Sequence, residues 1–317
     1  MSKVRNYLSL IKFSHTIFAM PFAMIGFFLA ISETKGVWVE VDFSLPYPGH
    51  KIKSTEFGRN YFDPHVLKPL LLNLLLVILC MLFARSAAMA FNRYLDRIID
   101  AKNPRTAIRE IPSGIITSKN ALIFTLVSCA LFIISCFFIN KLCFYLSPVA
   151  LLVVLGYSYT KRFTPLCHLV LGLGLSLAPI GAYIAVTGQF GFLPILFSIA
   201  VIFWVSGFDV IYALQDEEFD KSQNLYSIPA WLGKAKALTI SRVFHFLSAG
   251  GIISAGILGA FGWLYWIGAV VFCGMLLFQH SIVKPDNLKR VNMAFMTANG
   301  IASIVFAIFV ITDLFFN

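Results

Sequence analysis

The chain has 317 residues, of which 59% are hydrophobic and only 13% charged. Soluble domains sit near about 45–50% apolar and about 25% charged, so this composition excludes most soluble enzymes, disordered chains and disulfide scaffolds, and points to a bilayer as solvent. Against that background 25 Lys and Arg face 15 Asp and Glu, a net +10, and a membrane protein has few places to put charge.

A helix needs roughly 20 apolar residues to cross a hydrocarbon core. Nine such runs are predicted, at about 16–32, 66–90, 121–139, 142–160, 168–186, 190–209, 239–260, 262–280 and 294–316. Lys3, Arg5 and Lys12 ahead of the first run also fit a signal peptide; a retained span is preferred. A polar stretch at about 33–65 follows as an extracytoplasmic loop. The short links Asn140-Lys141 and Thr187-Gly188-Gln189 imply antiparallel hairpins. Pro21, Pro148, Pro179 and Pro194 fall in or beside spans, where neighbouring helices re-satisfy the backbone. Trp263, Tyr265 and Trp266 read as interfacial anchors. The six cysteines show no C-x-x-C and read as small buried hydrophobes. The expectation is one all-α integral membrane domain over residues 1–317, with nine transmembrane helices.

With nine spans, nineteen of the 25 basic residues fall on the side of the N-terminus. Positive loops stay cytoplasmic. That places the N-terminus inside and the C-terminus outside the inner membrane of a bacterium. The basic residues follow this topology rule and each loop mixes in acids, so nucleic acid is not an expected partner.

The acids are more telling. Nine of the fifteen share the cytoplasmic side, eight of them in two clusters. In FNRYLDRIIDAKNPRTAIRE (91–110), Asn92, Asp96 and Asp100 are spaced four apart, one face of a helix. In DVIYALQDEEFDK (209–221), Tyr212, Asp216 and Asp220 repeat that spacing, with Asp209 two turns earlier at the end of a span. Like charges at this spacing repel, and a charge within a span costs about 2.5–3.5 kcal/mol on insertion scales. A compensating cation is implied. Carboxylates and amides without His or Cys suit a hard ion, Mg²⁺ above all, which takes one or two carboxylates plus substrate phosphates. Beside Arg and Lys, the clusters suggest a metal-bridged diphosphate at the cytoplasmic face. Glu217 and Glu218 lie off the face and read as solvated. His168 and His245 read as satisfied buried side chains.

NRYLDRIID resembles the N-[DR]-x-x-D-x-x-x-D signature of UbiA-type intramembrane aromatic prenyltransferases. DVIYALQDEEFD resembles their second signature, and YSYTKRFTPL (157–166) resembles their Y-x-Y-x-K-R-x-T loop. The motifs stand in family order, after the second, fourth and sixth spans. The resemblance implies transfer of a polyprenyl chain from polyprenyl diphosphate to an aromatic acid, 4-hydroxybenzoate or a dihydroxynaphthoate, in ubiquinone or menaquinone biosynthesis. It implies two Mg²⁺ ions, one held by Asn92, Asp96 and Asp100 and the other by Asp216 and Asp220. Lys161 and Arg162 would clamp the diphosphate, with Arg105 and Arg93 as further candidates. Tyr212 would face the allylic cation, and Asp209 would serve as base or orient the acceptor. Lys12 and His15 are candidate partners for the acceptor's carboxylate. The tail would enter laterally from lipid, along a route packed by LGLGLSLAPIGA (171–182). A transporter or channel with acidic cation sites, and a haem- or chlorophyll-type prenyl transferase, stand as alternatives.

Overall fold

The computed structural model describes residues 3–11, 18–34 and 64–316. Lys12, His15 and nearly all of the 33–65 loop lie outside them. The helices are α1 (Lys3–Leu10), α2 (Met20–Glu33), α3 (Pro64–Lys102), α4 (Ser118–Ile139), α5 (Lys141–Thr160), α6 (Cys167–Thr187), α7 (Phe192–Ala213), α8 (Glu217–Ser222), α9 (Ile228–Leu258), α10 (Trp263–Ile282) and α11 (Asn299–Phe316). A 3₁₀ turn, Leu214–Asp216, joins α7 to α8, and a π turn, Met293–Ala298, leads into α11.

Eight helical runs among the described residues are long and apolar enough to cross a membrane: α3, α4, α5, α6, α7 continued to Ser222, α9, α10 and Met293–Phe316. The first predicted span appears instead as α2, 14 residues with Pro21 at its start. That is about 21 Å of helix, short of a core of about 30 Å. Phe22, Ala23, Ile25 and Phe27 of α2 are fully buried, so a cleavable segment here would remove the centre of the core.

Two lobes share the bundle. In one, α2, α6, α7, α9, α10 and α11 pack side by side in a closed ring. Its core is aromatic: Phe22, Trp204, Phe272 and Phe306 have ring centroids 5.3–6.2 Å apart. The Trp204 indole N–H donates to Asn299 Oδ1 at 2.9 Å, so even this polar group is satisfied. Tyr265 belongs here rather than at an interface. It is fully buried and donates to the Ile252 carbonyl at 2.6 Å, whereas Trp263 is exposed as expected.

The other lobe is α3, α4 and α5, joined to the ring chiefly through α6. Small residues on α6 and on α2 facing it let the ring close: a Cβ on Gly172 of α6 would lie 2.4 Å from the Ile202 carbonyl oxygen, and one on Gly26 of α2 2.0 Å from that of Pro179. Between α3, α5 and α6 lies a cavity of about 340 Å³, lined by Val77, Met81, Ala88, Val154, Leu175 and Ala182 among others. The alternation of helices brings the connections 103–117, 161–166, 214–227 and 283–292 to one end of the bundle.

Candidate active site

The first acidic segment is an extension of a membrane helix. The 39 residues of α3 make about 58 Å of helix, far more than a bilayer core needs, and its last turns carry Asn92, Asp96 and Asp100. The chain stays α-helical throughout, so the four-residue spacing holds them on one face. The Asn92 amide donates to Asp96 at 3.1 Å. Arg162 donates to Asp96 at 2.8 Å. Asp100, buried, accepts from Arg109 at 2.6 Å and has Arg93 3.8 Å away.

The second segment departs from the expected geometry. α7 stops at Ala213, the 3₁₀ turn takes Leu214–Asp216, and α8 resumes at Glu217. Tyr212, Asp216 and Asp220 therefore do not sit on one α-helical face, because 3₁₀ winding advances the chain by a different angle per residue. Their places are set by other elements. Asp216 takes a two-pronged contact from Arg105, with Nε on Oδ1 at 3.0 Å and Nη2 on Oδ2, and Asn103 adds a bond at 3.2 Å. Arg105 also donates to the Tyr212 hydroxyl at 3.0 Å, and its guanidinium lies over that ring. Phe295 packs on Tyr212 as well, with centroids 4.3 Å apart. Asp220, with no exposed surface, is 2.7 Å from Lys161 and accepts from Ser227 at 3.0 Å.

The two segments meet at the α5–α6 turn. Lys161 holds an acid of the second segment and its neighbour Arg162 an acid of the first. Burial works against the charge of Lys161, but Asp220 outweighs it and raises the ammonium above its ordinary range. Burial likewise opposes the Arg105 charge, and Asp216 overrides it in the same direction. Both stay cationic at any physiological pH. Each motif acid is thus matched to a cation, and the end of the bundle forms one polar network between α3 and α8.

Glu217 is a correction. It is buried and bonded at 2.6 Å to Lys221, one turn on in the same helix, with Lys234 of α9 3.8 Å away. Glu218 is exposed as expected. Three contributors were not anticipated. Arg109 and Asn103 reach Asp100 and Asp216 from the turns after α3. Arg85, one of the cavity's lining residues, has an unpartnered Nε and no acid partner among the described residues. An arginine two turns inside a span is a signal readable from sequence; counting it with the loop cations hides it. Asp209 is held by His168, at 2.7 Å.

Oxygen donors suit a hard divalent ion. Asp100 Oδ2 is buried with no hydrogen-bond partner, which fits an oxygen that serves a cation. As they stand, no three acids, histidines or cysteines among the described residues are gathered around one point. That fits an ion completing its shell with substrate oxygens rather than an all-protein cage.

Fold and site together define a membrane-embedded helical bundle with one polar, ion-paired end beside an apolar cavity. The chain belongs to the UbiA prenyltransferase family, whose model matches residues 63–301. A 4-hydroxybenzoate octaprenyltransferase from Nitrosomonas europaea is 31% identical over 244 residues, covering 76% of this chain and 82% of that protein. One from Tolumonas auensis is 29% identical over 229 residues, 70% of this chain and 78% of that protein. Among solved structures, the apo form of a UbiA homolog from Aeropyrum pernix K1 superposes with a TM-score of 0.72 at 26% identity, over 95% of this chain and 97% of that one. A UbiA homolog from Archaeoglobus fulgidus bound to DMAPP and Mg²⁺ gives 0.70 at 17% identity, over 98% and 100%, and shares the fold. The transporter or channel alternative falls with this membership.

Proposed function

We propose that this chain transfers a polyprenyl group from its diphosphate to an aromatic acid of quinone biosynthesis, 4-hydroxybenzoate or a dihydroxynaphthoate. The observation that carries the reading is the convergence at 161–162: adjacent cations, 2.7 and 2.8 Å from acids of two segments more than 100 residues apart. A doubly acidic, cation-lined pole at the end of an apolar cavity suits a substrate with a diphosphate head and a hydrocarbon tail. The names of the relatives favour an aromatic acid over haem or chlorophyll as acceptor.

Asn92, Asp96 and Asp100 would hold one Mg²⁺, and Asp216 and Asp220 a second. Bound there, the ions supply positive charge to the diphosphate oxygens as the leaving group forms. Lys161 and Arg162, with Arg105 and Arg93 behind, add fixed positive charge aimed at the same group, which costs no reorganisation when the C–O bond ionises. Tyr212 offers a ring face to the allylic cation. The C–O bond breaks first, releasing diphosphate and the allylic cation; the acceptor ring attacks that cation through carbon, and its ring proton passes to the released diphosphate. Asp209 takes the phenol proton or orients the hydroxyl.

The tail lies in the cavity between α3, α5 and α6, whose walls are almost wholly apolar. Arg85 is the cation placed for the acceptor's carboxylate, because it lines the cavity with a buried Nε that lacks a partner. Lys12 and His15 remain candidates for the same anion. The polar end faces the cytoplasm of a bacterial inner membrane, with the N-terminus inside and the C-terminus outside.

Membranes containing the chain, given labelled geranyl diphosphate, Mg²⁺ and each aromatic acid in turn, should form a prenylated product that chelation of the metal abolishes. Transfer to none of the acids overturns the reading.

A further inference from the structure

His168 stands outside both acidic motifs, yet its ring touches the acceptor side of the site. It is 2% exposed at the start of α6. Its Nδ1 is 2.7 Å from Asp209 Oδ2. Its Nε2 accepts from the Ile228 backbone N–H at 3.3 Å, at the first residue of α9. A ring nitrogen that accepts carries no proton, so the neutral ring's hydrogen is on Nδ1 and donates to Asp209. The backbone contact thus selects the tautomer that holds the carboxylate. The ring's seat is itself fixed. The Ser206 hydroxyl donates to the His168 carbonyl at 3.1 Å, and Gly172, one turn on, lets α6 approach α7 closely.

The same stretch of chain ties this contact to the diphosphate pole. Three consecutive residues each grip one part of the site. The Tyr226 N–H donates to the Lys161 carbonyl at 2.8 Å. The Ser227 hydroxyl donates to Asp220 at 3.0 Å. The Ile228 N–H holds His168, and through it Asp209.

We propose that His168 is a positioning residue: its Nδ1–H fixes the Asp209 carboxylate toward the aromatic acceptor. The proposal rests on the transferase reading above. Asp209 is half-buried, so one oxygen can be held while the other stays accessible. A carboxylate free to rotate loses its alignment, and a misplacement of about 1 Å costs about 10²-fold in rate.

Two amides separate the ring's two contacts. His168→Asn places its N–H where Nδ1 stood and gives up the contact to Ile228. His168→Gln reaches the Nε2 position and leaves Asp209 without its donor. Steady-state rates with geranyl diphosphate and 4-hydroxybenzoate, or whichever acid the wild type accepts, are measured beside Mg²⁺-dependent binding of geranyl S-thiolodiphosphate by calorimetry. Expected is kcat within about fivefold of wild type for Asn and about 10²-fold lower for Gln, with analogue affinity unchanged within about twofold in both. Equal loss in the two variants, or a kcat loss that tracks analogue affinity, overturns the positioning role and leaves His168 a structural residue. A wild type that binds the analogue but transfers to no acid overturns the transferase reading instead.

Discussion

The two acidic segments hold the same kind of residues by different means. On α3, Asn92, Asp96 and Asp100 ride one unbroken helix, and hydrogen bonds of the backbone fix their spacing. Between α7 and α8 the chain changes helix type twice within ten residues, and Asp216 and Asp220 are placed by Asn103, Arg105, Lys161 and Ser227 from other elements. The first geometry is local and the second tertiary. A ladder on a helix survives loss of one rung, whereas an acid held by distant cations also holds those cations in place.

That difference is open to a direct break. Asp96→Ala and Asp216→Ala should each lower transfer by about 10²–10³-fold or more, since under the proposed function each removes an oxygen ligand of the metal. Stability should separate them. Asp96→Ala frees Arg162, which keeps the carbonyls of Ser158 and Leu95. Asp216→Ala strips the acceptor from both Arg105 and the buried Asn103 amide, and a buried donor left unsatisfied costs about 1–3 kcal/mol. Thermal unfolding in detergent should show the larger drop for Asp216→Ala. Equal drops would mean that the second segment is no more tertiary than the first.

Arg85→Leu should act more selectively. Arg85 lies two turns before Asn92 on α3 and lines the cavity without a partner. Its loss should raise KM for the aromatic acid about 10-fold or more, the cost of an anion left without its cation, and leave KM for the prenyl diphosphate within about twofold. An equal rise in both constants would place Arg85 with the diphosphate pole instead.

What sequence discloses follows the same division. The spacing of 92, 96 and 100 is informative because α3 never breaks, and helical periodicity survives into the structure. The spacing of 212, 216 and 220 misleads because the 3₁₀ turn intervenes, and nothing in LQDEEFD announces it. The identity of the acids is plain in both segments, but their partners lie more than 100 residues away for Asp216 and nine away for Asp100. No periodicity reports such pairings. Glu217 is misread in part for the same reason: Lys221 is a local i,i+4 partner, but Lys234 reaches it from α9. The eight long spans are legible from apolar run length alone, while α2 falls short because a run of apolar residues does not mark where a helix starts.

The smallest expected effect tests the comparison most finely, through two helix caps. Ser227 caps α9 by accepting from the Ala230 N–H at 3.2 Å, and it also donates to Asp220. Thr117 caps α4 by accepting from the Asn120 N–H at 3.3 Å and touches no acid of either motif. Replacing a capping hydroxyl by Ala costs about 1 kcal/mol, so Ser227→Ala and Thr117→Ala should lower the unfolding temperature by similar small amounts. Only Ser227→Ala should also slow transfer, by about 5- to 10-fold, because a hydrogen bond to a charged group is worth about 1.5–3 kcal/mol and part of it is recovered from Lys161. If Thr117→Ala slows transfer as much, the loss comes from general loosening of this end of the bundle. If neither slows it, Lys161 alone suffices to place Asp220, and the second segment needs fewer outside supports than its broken helix implies.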